Sequence, residues 1–220
     1  VLRKGGATRD AVARVLSQAG VQPQFRVTDT HGQPVQGVET HLFRNGAVTL
    51  VALLSNPDLR VDELGPPDFR SNENFAHRQS LRLALPETLT VYDVRVAKGL
   101  GQTRELSVEL DPYEPVIYAA CREPIPDLTL SAPARVARGE TSRARISFAS
   151  ATPAALHILH LEVTDPAGQL VRHYSGNVRA PLGHAVWELP FAHNDATGTW
   201  HLRAHDLLSG QTRTASIEVF

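Results

Sequence analysis

Residues 38–54 read VETHLFRNGAVTLVALL, two runs of strand-forming residues on either side of Asn45-Gly46. In the first run Val38, Thr40 and Leu42 alternate with Glu39, His41 and Phe43, the two-residue period of a strand. Asn-Gly between such runs is the strongest short-range hairpin signal, because both turn residues tolerate positive φ. The second run, residues 47–54, is apolar on both faces, which suits a central strand covered on both sides or one lying under another domain. This stretch therefore predicts a β fold.

The flanking sequence extends the prediction. Upstream, Phe25 and Val27 share one face of a strand that stops at His31-Gly32-Gln33-Pro34. Downstream, residues 80–85, 89–94, 103–110 and 115–120 read as strands, with Lys98-Gly99-Leu100-Gly101 as the turn before 103–110. About seven short strands with regularly spaced turns describe one sandwich. Arg122-Glu123-Pro124-Ile125-Pro126-Asp127 reads as a linker stiffened by its prolines. Beyond it Ala144, Ile146 and Phe148 share a strand face, and residues 154–164, 169–175, 184–189, 198–206 and 211–220 supply further strands, with a turn at Asp165-Pro166-Ala167-Gly168. Leu159, Leu161 and Val163 share one face while Leu156 and Ile158 take the other, which predicts a bulge or a strand switching sheets. At the start, Val12, Val15, Leu16 and Ala19 fall at helical spacing between a cap at Thr8 or Asp10 and Gly20. The expected fold is all-β: two tandem β-sandwich domains, 21–122 and an immunoglobulin-like 123–220, after a short N-terminal helix, 1–20, that reads as the tail of a preceding domain. A length of 220 residues suits two domains of about 100 residues each.

Composition narrows the function classes. With 22 Lys+Arg against 23 Asp+Glu the net charge is -1, which leaves no electrostatic excess for nucleic acid or anionic lipid. No apolar run approaches the roughly 20 residues of a membrane span. A single cysteine, Cys121, precludes an internal disulfide and reads as a small buried residue. The absence of methionine points to a processed product or a piece of a larger chain.

Candidate chemistry is sparse. Of ten histidines, His157, His160, His173, His184, His193, His201 and His205 fall in the second half, yet His157 and His160 point to opposite faces of one strand. His201 and His205 share a face with Arg203 between them, which would repel a cation. No metal site is expected. No nucleophile elbow or phosphate loop occurs, so neither a catalytic residue nor a cofactor is assigned. Trp187 and Trp200 share strand faces with Ala185 and Leu189, and with Leu202 and Ala204, and read as core. Tyr174, His173 and Phe69 are freer for stacking. The long polar segment 55–79 reads as a crossover between sheets, with Asp62, Glu63, Asp68 and Phe69 as candidate binding residues, and Glu73 as a further acid.

The order of motifs supports one resemblance. AGVQP at the end of the helix, HLFRNGAVTLVALLSNPD, and LRLALPETLTVYDVRVAKGLGQTRELSVELDPYEPVIYAA resemble the C-terminal β-sandwich region of bacterial β-galactosidase-like glycoside hydrolases related to family 42. In that pattern Tyr92-Asp93-Val94-Arg95 leads to Lys98-Gly99-Leu100-Gly101, and Asp93 with Arg95 reads as a structural ion pair beside a turn. ALHILHLEVTDPAGQLVRHYSGNV to PFAHNDATGTWHLRAHDLLSGQT resembles an immunoglobulin or macroglobulin-type sandwich. The resemblance implies a non-catalytic accessory or scaffolding region whose partner is an upstream catalytic or assembly domain of the same polypeptide, in an extracytoplasmic setting. A carbohydrate-binding module is the alternative, and a free-standing hydrolase built on 55–79 ranks third.

Overall fold

The computed structural model describes residues 5–56, 77–149 and 155–220. Helix α1 (Gly5–Gln18) closes as expected at Gly20: with Gly20 at φ 75°, the Gly20 and Val21 amides reach back to the Ser17 and Leu16 carbonyls. The strands among the described residues are β1 (Arg26–Asp29), β2 (Val38–Asn45), β3 (Val48–Ser55), β4 (Gln79–Asp93), β5 (Lys98–Leu110), β6 (Val116–Cys121), β7 (Leu128–Ser131), β8 (Arg135–Val136), β9 (Thr141–Phe148), β10 (His157–Thr164), β11 (Gly176–Ala180), β12 (His184–Pro190), β13 (Gly198–Asp206) and β14 (Thr212–Val219). They form three sheets. One is ordered β1-β4-β6-β3-β2 with β5 also paired to β4. The others are β11-β10-β13-β14-β8 and β12-β9-β7. By contact density the chain divides into one compact unit of Val1–His41, Ala52–Leu89 and Gln102–Val116 and another of Leu42–Val51, Thr90–Gly101 and Ile117–Phe220.

β3 lies between β6 and β2, and Val48, Val51, Ala52 and Leu53 are buried, so its apolar character on both faces has the expected cause. The separate strands at 80–85 and 89–94 are in fact one, β4. Leu81, Leu83, Leu85, Leu89 and Val91 keep a single parity through Pro86 and are all buried. Pro86 lies between the stretch paired with β1, Leu81 to Ala84, and the stretch paired with β6, Thr90 to Asp93, so neither of those two ladders needs the amide it lacks. The turn after β4 also lies earlier than expected. It occupies residues 94–97, with Ala97 at φ 53°, and Lys98 to Gly101 already belong to β5. Asp93 caps this turn, its Oδ1 accepting the Arg95 and Val96 amides at 3.0 and 3.2 Å.

The second half buries one core between its two sheets. Ala144, Ile146, Phe148, Trp187 and Leu189 of the β12-β9-β7 sheet join Leu159, Leu161, Val163, Trp200, Leu202, Ala204, Ile217 and Val219 of the other. β13 starts and ends as read. β10 needs neither bulge nor sheet switch: Leu156 precedes the strand, and Ile158 lies on its outer face opposite Arg179. Residues 169–175 are not a strand. After a bridge at Leu170 they form a short 3-10 helix, Arg172–Tyr174, and the partner of β10 is β11. Its sequence, GNVRA, lacks a strand signature, which an edge position paired on one side tolerates.

The 3-10 helix delivers Tyr174 to a fixed place. Its hydroxyl lies 2.7 Å from both the Pro190 carbonyl and an Asp195 carboxylate oxygen, and it accepts the Ala192 amide at 3.2 Å. Burial, then the Asp195 carboxylate, pushes this phenol up to about 12, and burial followed by Asp93 does the same to Tyr118. Folding thus favours the protonated phenols of both residues, so their contribution to stability is complete below the ordinary tyrosine value of 10.0 and is lost as pH rises through about 12. Urea midpoints should fall over that interval, together with a late rise in phenolate absorbance. A midpoint that stays flat to pH 12 contradicts this assignment.

Candidate functional site

The alternation of β10 places residue 157 on the same face as Leu159, Leu161 and Val163, where an apolar side chain is expected; the residue is a histidine. His157 and Asp206, the last residue of β13, are both fully buried, and His157 Nδ1 lies 3.0 Å from Asp206 Oδ1. The other carboxylate oxygen accepts the Ser209 amide at 2.9 Å and the Ser209 hydroxyl at 2.6 Å. The Phe148 ring packs on the imidazole with centroids 4.2 Å apart. His157 Nε2 has no hydrogen-bond partner among the described residues.

The turn that carries Ser209 is held on every side. Asp206 and Gln211 pair through the Asp206 amide and Gln211 carbonyl, and the Gly210 amide returns to the Asp206 carbonyl. The Gln211 side chain accepts the Leu128 amide at 2.7 Å and donates to the Pro126 carbonyl at 2.8 Å. The Tyr92 hydroxyl accepts the Ile125 amide at 2.9 Å. The end of the segment read as a proline-stiffened linker, and Leu128 just after it, are thus tied down by the side chains of Tyr92 in β4 and of Gln211 between β13 and β14, as buried backbone donors demand. Burial holds the Tyr92 phenol above its usual range, with the charge on Asp206 contributing.

This cluster has the residue types of a nucleophilic triad and the wrong order. An activated serine needs the imidazole between hydroxyl and carboxylate. Here the carboxylate lies between them, so the Ser209 proton is held by Asp206 and not by the imidazole. With His157 and Asp206 at zero exposure, no substrate reaches the group. Its chemistry is structural: a carboxylate satisfied by three donors inside a β-sandwich. Sequence reading missed it. The signal was His157 at an apolar parity position, but its partner lies 49 residues away.

Asp62, Glu63, Asp68, Phe69 and Glu73 lie outside the described residues. Tyr174 is not free for stacking, being buried with its hydroxyl engaged, whereas His173 is exposed against the Tyr174 ring. Trp187 and Trp200 are core residues, as parity required. A groove beside β11 and β12 is lined by His173, Tyr174, Asn177, Trp187 and Glu188. With Tyr174 and Trp187 only 8% and 7% exposed, neither offers a ring face to a sugar. Cys121 is buried, its thiol pushed up to about 11 by burial and then by Glu123, so little nucleophilic thiolate forms. No helix among the described residues is long and apolar enough to cross a membrane.

No family model matches the chain. No curated protein matches it either. Among solved structures it is similar to the CARDB domain of the PF1109 protein from Pyrococcus furiosus, a complex with di-metal ions, at 14% identity over 44% of this chain and 90% of that one, with a TM-score of 0.30. The native E. coli alpha-2-macroglobulin matches at 9% identity over 79% of this chain, with a TM-score of 0.31, and red sea bream transglutaminase at 16% over 94%, with a TM-score of 0.30. The chain spans only 19% and 33% of those two proteins. None of these similarities links the chain to β-galactosidases. What the strands and sheets establish is an all-β protein of β-sandwich architecture with a short N-terminal helix.

Proposed function

We propose that the chain is a non-catalytic accessory region that packs against another domain of its own polypeptide. The observation that carries this reading is the apolar stripe of α1. Val12, Val15 and Leu16 are 52%, 64% and 44% exposed, although their spacing is that of a helix face made for burial. A helix of 14 residues is marginal in water without tertiary cover, and covering each such side chain contributes about 1.5–3 kcal/mol. The cover we infer is a folded domain of the same polypeptide, with the boundary after residue 20. The resemblance of the Asn45-Gly46 hairpin and the 81–120 segment to β-galactosidase-like enzymes supports a catalytic or assembly domain of a glycoside hydrolase in that place, and with it an extracytoplasmic setting.

Hydrogen exchange on the isolated chain and on the whole polypeptide tests the reading. The amides of α1 should exchange rapidly in the first and be protected at least tenfold in the second, and Val15→Glu should remove that protection without moving the melting temperature of the isolated chain. Equal exchange in both contexts, or turnover of chromogenic glycosides by the isolated chain, overturns it.

A further inference from the structure

The outer face of the β11-β10-β13-β14-β8 sheet carries a row of four residues whose order the sequence conceals. Asn177 of β11 is opposite His160 of β10, His160 is opposite His205 of β13, and His205 is opposite Thr212 of β14. Two histidines therefore stand side by side on adjacent antiparallel strands, where opposed Cα atoms are about 4.5–5.5 Å apart. Each ring is held from its outer side. His160 Nδ1 is 2.8 Å from Asn177 Oδ1, and His205 Nδ1 is 3.0 Å from Thr212 Oγ1. The Asn177 and Thr212 oxygens engage Nδ1 of the two rings, so Nε2 of each is the nitrogen a ligand would take, the arrangement that metal-binding histidines use.

We propose that His160 and His205 form a two-histidine site for a first-row divalent ion, with water in the remaining positions. Among the described residues no three His, Cys, Asp or Glu side chains gather as metal ligands, so the protein supplies two. Glu162 adds negative charge beside the site, its Oε1 lying 3.6 Å from His160 Nε2. Arg203, whose charge argued against a cation when only β13 was considered, is engaged across the strands: its Nη1 donates to the other Glu162 oxygen at 2.6 Å. The guanidinium is thereby offset by a carboxylate. The pairing that matters is across strands, His160 with His205, and not along β13, His201 with His205. Imidazole ligands select Zn²⁺, Ni²⁺ and Cu²⁺ over Mg²⁺ and Ca²⁺, with Cu²⁺ bound tightest.

The test is titration of the untagged chain with Cu²⁺, Ni²⁺ and Zn²⁺ at neutral pH, read by calorimetry and, for Cu²⁺, by electron paramagnetic resonance. One ion per chain with two coordinated imidazole nitrogens is expected, binding in the order Cu²⁺ over Ni²⁺ and Zn²⁺. His160→Gln and His205→Gln should each weaken it at least tenfold, and His201→Gln should leave it unchanged. Zn²⁺-induced NMR shifts confined to the imidazole protons of His160 and His205 give the same answer without any substitution. Failure to bind any of the three ions at 100-fold molar excess overturns the proposal, as does binding that survives either the His160 or the His205 substitution.

Discussion

Asp206→Ala should destabilise the protein by about 3–5 kcal/mol, the cost of removing the shared acceptor from a buried hydrogen-bonded cluster and leaving its partners unpaired. That is a large part of the roughly 5–15 kcal/mol that holds a domain folded. Removing the carboxylate strands His157 Nδ1, the Ser209 amide and the Ser209 hydroxyl together. None of these reaches water, because His157 is fully buried and Ser209 nearly so. His157→Leu should cost less, about 1–3 kcal/mol, since it also deletes Nε2, which has no partner among the described residues, while Asp206 keeps both Ser209 donors. Urea unfolding at neutral pH measures the order. If Asp206→Ala is no more damaging than His157→Leu, the carboxylate is not the centre of the cluster. The double substitution should be less harmful than the sum of the two, since the residues interact directly.

The contrast between His157 and Trp200 shows what strand parity reveals and what it hides. Parity reports only which way a side chain points, and it placed Trp187, Trp200, Leu159, Leu161 and Val163 inside correctly. It placed His157 inside equally well, but a histidine there becomes intelligible only when Asp206 is known to be its neighbour, and that is decided by how β10 and β13 pair. The same holds for His160 and His205. Reading β13 alone set His201 beside His205 and made Arg203 decisive, whereas the register puts His160 opposite His205 and Glu162 opposite Arg203. Local signals fared differently again. Gly20 ended α1 where its positive φ allows, but residues 80–85 and 89–94, read as two strands, run on as one through Pro86. Among the binding candidates, Asp68 and Phe69 sit in a polar stretch with no period to orient them, and Asp62 and Glu63 in a short strand-like run, 59–64, whose partner the sequence does not name.

Gly210→Ala should cost roughly 2–5 kcal/mol, and the reason separates two effects that glycine substitutions usually mix. Gly210 and Gly168 both adopt φ 77°, so alanine at either pays the same left-handed backbone penalty of about 1–2 kcal/mol. Their surroundings differ. A Cβ at Gly168 meets nothing within 4 Å, whereas one at Gly210 would lie 2.1 Å from the Ala97 carbonyl oxygen and 2.5 Å from its carbon. Those atoms are backbone, and Ala97 is itself in the left-handed region at φ 53°, so the turn 94–97 has little freedom to withdraw. The excess of Gly210→Ala over Gly168→Ala in chemical unfolding therefore reports how tightly the 206–211 turn is seated on the 94–97 turn. Equal losses at the two glycines would mean that the close approach yields at no cost. A clear excess ties the Ser209 loop, and through it the Asp206 carboxylate, to a turn that Asp93 caps more than 100 residues earlier in the chain.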